Sequence, residues 1–266
     1  MDGACLAVFM ISACFFTALL EHPSSPARQA IESPFIRHLL IGMAMGLTLI
    51  AIVHSPWGKR SGAHLNPSLT WTFFRLGKVQ TADALFYSVA QFAGGILGVI
   101  ISAVILRETL THPAVRYAVT VPGESGAWVA FVAEIAISFV LMLTVLIVSN
   151  NRKLTRFTPF FAGALVATYI TFEAPLSGMS MNPARTVGSA LPANVWTSAW
   201  VYFIAPVIGM LAAAETYVRL AGARNVFCAK FHHHNDKRCI FRCNYDELLQ
   251  LVEPAKLKAP VTITSS

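Results

Sequence analysis

Apolar residues dominate six long stretches of the chain, at about residues 4–20, 38–54, 82–106, 127–149, 158–173 and 198–220. The lengths suit helices that cross a hydrocarbon core, which takes about 20 apolar residues. Polar breaks separate the runs, and beyond Arg219 the pattern ends in a polar, basic segment, 221–266. Two further apolar runs are only about ten residues long, or roughly 15 Å as helix. "SGAHLNPSLTWTFF" starts at Ser61 and "GMSMNPARTVGSAL" at Gly178. Each opens on Asn-Pro. Asn is a strong helix N-cap, and Pro suits the first helical turn because its missing N–H would be unpaired there anyway. Each run therefore predicts a half-length helix that reaches the middle of a membrane about 30 Å thick and stops.

Composition supports a lipid environment. Of 266 residues 55% are hydrophobic and 12% charged, against roughly 25% charged in soluble domains. The expected fold is all-α: six transmembrane helices plus two half-helices. Three spans per half reverse the orientation of the second half, giving an inverted repeat over about 1–110 and 111–220. The first run lacks a basic n-region and a cleavage site, so it is read as a retained span.

Charge then sets the orientation. Fifteen of the 20 Lys and Arg fall in loop 54–81, loop 150–157 and the segment from Arg219 onward. Basic loops stay cytoplasmic, so both termini are expected inside a plasma or inner membrane. The net charge of +7 then reflects topology and anionic lipid, and no nucleic-acid partner is expected.

Non-helical backbone at membrane depth is tolerated only where protein buries it or a wet cavity meets it. The carbonyls of Gly62, Ala63, His64 and Leu65, and of Gly178, Met179, Ser180 and Met181, are therefore expected along a pore. Asn66, Pro67 and Ser68 should meet Asn182, Pro183 and Ala184 at the midplane, with two positive helix ends converging. No catalytic constellation stands out, so an enzyme is not expected.

The paired Asn-Pro segments, with "GLT" at 46–48, "AQFAGGILG" at 90–98, Glu134 and "APVIG" at 205–209, resemble the aquaporin, or major intrinsic protein, family over about residues 2–220. Ser68 replaces the usual Ala of the first box, and only Asp2 stands near the place of the family's first-span Glu. The resemblance implies a passive channel for water or small uncharged solutes such as glycerol, urea, ammonia or methylamine, peroxide and metalloid hydroxides. It also implies exclusion of protons and ions, a homotetramer, no cofactor, and a structural role for the buried acid Glu134. By the same resemblance, Met45 (the residue before GLT) with Ile170, Met179 and Arg185 (counted from the second box) are the filter positions, with Arg185 the sole side-chain donor. Thr186, Ala190 and the pair Tyr202–Phe203 are similar to the water-selective branch. Glu173 adds an acid near the outer mouth, read as a solvated loop residue or one that recruits cations.

Two alternatives stay open. Ion-coupled secondary transporters also use inverted repeats and broken helices. A metal-sensing tail is the other, because Cys228, His232, His233, His234, Cys239 and Cys243 offer ligands favoured by zinc or copper, although a solvated basic segment explains the same residues. A cytoplasmic tail stays reduced, so no disulfide framework is expected.

Overall fold

The computed structural model describes residues 1–250. Eight helices build the membrane body: α1 (Asp2–Glu21), α2 (Pro34–His54), α3 (Pro67–Arg75), α4 (Thr81–Leu106), α5 (Ala127–Ser149), α6 (Thr158–Phe172), α7 (Pro183–Ala193) and α8 (Ala199–Ala221). No strand occurs among the described residues. Five of these helices are long and apolar enough to cross a membrane. The fifth expected span, α6, has 15 residues, or about 22 Å of helix. A separate turn at Ala174–Ser177 follows it, ending on left-handed Gly178 at φ 79°.

Helix starts follow local chemistry. Ser33 Oγ accepts from Ile36 N, and Pro34 opens α2. The chain therefore turns helical four residues before the apolar run begins, carrying Arg37 inside. Buried Arg37 is satisfied by Glu21 (Nε–Oε1 3.1 Å) and by the carbonyls of Ile31 and Glu32.

The two halves interlock. α1 lies along α4 and α5 along α8, while the equivalent helices α2 and α6 pack on each other across the centre. Each half-helix crosses into the other half, α7 onto α4 and α3 onto α8. Helix association in lipid depends on close packing, because tails are as apolar as side chains, so small residues mark the contacts. A Cβ on Gly95 would stand 2.6 Å from Ala184 O, and one on Gly188 would stand 2.8 Å from the Gly95 carbonyl carbon. Large apolar side chains such as Phe86, Val104, Trp128, Val132 and Phe172 point outward.

The segment after Ala221 departs from the expected solvated tail. Val226 through His232 are buried, and the chain folds back beneath the loop that leads into α3. Phe231 N donates to Gly62 O (3.3 Å), Arg242 N to Lys78 O (3.0 Å) and Phe227 N to Asn150 Oδ1 (2.8 Å). Apolar Phe227, Phe231 and Phe241, interleaved with the basic residues, supply the buried surface that average polarity concealed.

Candidate functional site: a pore with two half-helices

The loops before α3 and α7 are conformational copies. Gly62, Ala63 and Leu65 have φ of 86°, 59° and 54°; Gly178, Met179 and Met181 have 79°, 51° and 53°. Left-handed backbone costs a non-glycine residue about 1–2 kcal/mol, so each loop needs an anchor. Glu134 supplies one from α5: Oε1 accepts from Ser177 Oγ (2.9 Å) and Ser180 N (2.6 Å), and Oε2 from Met181 N (2.7 Å). Asp2 supplies the other from α1: Oδ1 accepts from Ser61 Oγ (2.9 Å) and His64 N (3.1 Å), and Oδ2 from Leu65 N (2.9 Å) and Gln91 Nε2 (2.7 Å). Tyr87 and Tyr202 complete the pairing, each hydroxyl donating at 2.6 Å to Ser61 O or Ser177 O. Asp2 thus occupies the first-half position equivalent to Glu134.

Asn66 and Asn182 each cap a half-helix and reach the loop that leads into the other. Asn66 Oδ1 accepts from Ser68 N (2.9 Å), and Asn182 Oδ1 accepts from Ala184 N (3.0 Å) and Arg185 N (3.3 Å). Their amide nitrogens cross over: Asn66 Nδ2 donates to Met181 O (2.6 Å) and Asn182 Nδ2 to Leu65 O (2.7 Å). One amide hydrogen remains on each. Pro67 and Pro183 open the two half-helices. The hydroxyl of Ser68 is buried with no hydrogen-bond partner among the described residues.

A cavity of about 450 Å³ runs past both Asn residues, and Met45, Ile170, Met179 and Arg185 all line it. Arg185 Nη1 donates to Ala118 O at 2.9 Å. That carbonyl sits in a loop where Arg116, Tyr117 and Ala118 all have positive φ. Sequence reasoning missed Ala118, because a backbone acceptor leaves no mark in residue type. The expected carbonyl rows are partly engaged: Gly62 O holds Phe231 N, Leu65 O holds Asn182, and Met181 O holds Asn66.

His64 does more than present a backbone carbonyl to the wall. Its ring hydrogen-bonds Thr70 Oγ1 (3.0 Å) and Ala229 O (2.9 Å), and stacks on Phe241 at 5.0 Å with planes 3° apart. Phe231, from the tail, lines the same cavity. Glu173, by contrast, is 8% exposed and neither carboxyl oxygen has a partner among the described residues, so it is not a solvated loop residue.

The tail histidines divide. In extended chain, successive side chains point to opposite sides. His233 faces Cys228, Cys239 and Cys243, their ligand atoms all within 4.8 Å of one another. His232 instead packs on His54 (4.8 Å between rings) and His234 lies beside Tyr245 Oη (3.3 Å), so neither joins the cluster. Burial, with His54 and His234 alongside, pushes His232 down to about 4, which keeps it neutral near pH 7.

Six membrane helices, two half-helices and capping asparagines that meet inside one cavity define the architecture of a helical pore protein. The profile of the major intrinsic protein family matches residues 3–217, and the chain belongs to that family. Aquaporin NIP2-2 of Zea mays is 34% identical over 184 residues, 68% of this chain and 60% of that protein. Aquaporin NIP1-4 of Oryza sativa subsp. japonica is 33% identical over 187 residues, 69% of this chain and 66% of that protein. The match to the Zea mays relative thus spans about three-fifths of its length. The crystal structure of the aquaglyceroporin from Plasmodium falciparum shares the fold, with a TM-score of 0.67 at 17% identity, covering 84% of this chain and 96% of that one.

Proposed function

We propose that this protein is a passive channel for water and small uncharged solutes. The carrying observation is that Asn66 and Asn182 each donate to the carbonyl preceding the other, Met181 O and Leu65 O, inside a cavity that Arg185, Met45, Ile170 and Met179 also line. Two helix N-termini point their partial positive charges at the midplane and oppose a cation there. The spare amide hydrogen on each Asn donates to a passing oxygen, which breaks a continuous proton wire. Arg185, oriented by Ala118, keeps further guanidinium hydrogens for solute and adds a fixed positive charge.

Apolar walls around one donor favour solutes with an apolar face over water. Each hydrogen bond that water forfeits there costs on the order of 1 kcal/mol. Lys and Arg placement supports cytoplasmic termini in a plasma or inner membrane. Met1 and Asp2 line a shared cleft with Asp236, Lys237 and Arg238, in keeping with the start of the chain and the segment after Ala221 lying on one face. The outward apolar side chains suit lipid, and family membership supports a homotetramer.

An ion-coupled transporter needs a free intramembrane acid. Both oxygens of Glu134, and both of Asp2, are already committed to holding loops, and Glu173, the buried acid whose oxygens stay unpartnered among the described residues, is not among the residues that line the cavity. Stopped-flow measurements on proteoliposomes with water, glycerol, urea and methylamine test the channel. Flux should follow the imposed gradient and ignore an uncoupler; uphill uptake that an uncoupler abolishes would overturn the reading.

A further inference from the structure

The tail places four metal-ligating side chains in one small volume directly beneath the pore. Cys228 Sγ and Cys239 Sγ are 3.4 Å apart, and Cys243 Sγ and His233 Nε2 are 3.9 Å apart. Around a tetrahedral zinc ion, with Zn–S about 2.3 Å and Zn–N about 2.0 Å, ligand atoms stand roughly 3.5–3.8 Å from each other. The four need only small rotations to reach that shell. His233 is held for the task by stacking on Tyr245, 4.0 Å between rings at 7°. Three thiols with one imidazole is a donor set that closed structural zinc sites use.

The same ligands bracket the residues that fill the pore mouth. Cys228 is followed by Ala229, whose carbonyl accepts from the His64 ring, and by Phe231, whose N–H reaches Gly62 O and whose side chain lines the cavity. Phe241, between Cys239 and Cys243, stacks on His64. The stretch from Cys228 to Cys243 has neither a helix nor a strand. An irregular segment gains no ladder of backbone hydrogen bonds, and in such segments a bound metal commonly adds to the folding energy.

We propose that Cys228, His233, Cys239 and Cys243 bind one zinc-class ion, and that this ion holds the tail as a cap over the adjacent pore mouth. The buried Lys230 belongs to the same device: its Nζ donates to Asn235 Oδ1 (3.2 Å) and Lys237 O (3.0 Å), closing the loop between His233 and Cys239. Removing the ion frees the loop, withdraws Phe231 and Phe241 from His64, and uncovers the mouth.

The cap rests on the channel reading above; the metal site does not. Full-length protein purified with zinc present should contain about one zinc per subunit, and the double variant Cys239→Ser, Cys243→Ser should contain none. In proteoliposomes, a membrane-permeant chelator should raise water and methylamine flux severalfold, and added zinc should reverse it. Phe231→Ala should keep its zinc yet conduct without chelator, which separates capping from misfolding. Metal-free wild-type protein, or a thiol count showing a Cys228–Cys239 disulfide, overturns the site. Stoichiometric zinc with flux indifferent to chelator and to Phe231→Ala overturns the cap. If no form conducts at all, the channel reading and the cap fall together while the zinc content still decides the site.

Discussion

Asn182 caps its own half-helix through Oδ1 and reaches Leu65 O through Nδ2, while Asn66 caps the other and reaches Met181 O. One amide thus terminates a helix, ties two loops together and keeps a hydrogen for the pore. Asn suits all three roles; Asp would cap but could not donate, and Ser could not span the gap. Selectivity is the residue-scale question left to the filter. Ile170→His puts a polar group into the wall of the cavity that Arg185 also lines, where water gains a partner and bulkier solutes lose room. One recovered hydrogen bond is about 1 kcal/mol, or roughly a fivefold gain in water relative to methylamine flux. Arg185→Val removes the fixed charge and should admit cations, read as current across a planar bilayer. An unchanged ratio in the first variant with a changed one in the second would make Ile170 a packing residue.

At the scale of elements, the loops 61–66 and 177–182 store backbone strain at Ala63, Leu65, Met179 and Met181, at about 1–2 kcal/mol each. What holds them is a carboxyl group from a neighbouring long helix, Asp2 in one half and Glu134 in the other. Asp2→Asn and Glu134→Gln each turn an acceptor toward backbone N–H groups into a donor. Each should cost about 1–3 kcal/mol, the penalty for leaving such buried groups unsatisfied. Thermal unfolding in detergent should show comparable losses for both. A loss for Glu134→Gln alone would mean that the two halves are not equivalent. The strong legibility of Glu134 and the weak legibility of Asp2 have one cause. Glu134 sits in the middle of an apolar run, where any acid stands out, whereas Asp2 stands at the chain start, where an acid is unremarkable.

On the scale of the whole molecule, neither half is complete alone. α7 closes against α4 and α3 against α8, with Gly95 and Gly188 in backbone contact. Even a methyl group at Gly188 meets the Gly95 backbone at 2.8 Å, and backbone cannot rotate aside as a side chain can. Gly188→Ala should therefore cost about 1–3 kcal/mol, and Gly188→Leu should leave no folded protein eluting as a single peak in size-exclusion chromatography. A normal elution profile and melting temperature for Gly188→Leu would show that the halves can separate without loss.

By itself the sequence determined the number and rough extent of the spans, the two half-helices and their caps, because hydropathy period, Asn-Pro and chain length are local quantities. Counting from GLT and from the second box named Met45, Ile170, Met179 and Arg185, and these four line the cavity. Tertiary structure alone decided what those positions touch. The carbonyl of Ala118 on Arg185, the crossing of Asn66 and Asn182 to opposite loops, and the choice of His233 over His232 and His234 depend on segments far apart in the chain. The burial of Val226–His232 beneath the pore belongs with them. Average polarity marks such a segment for water, and only a waiting surface around His64 and Gly62 gives its few aromatic residues something to bury against.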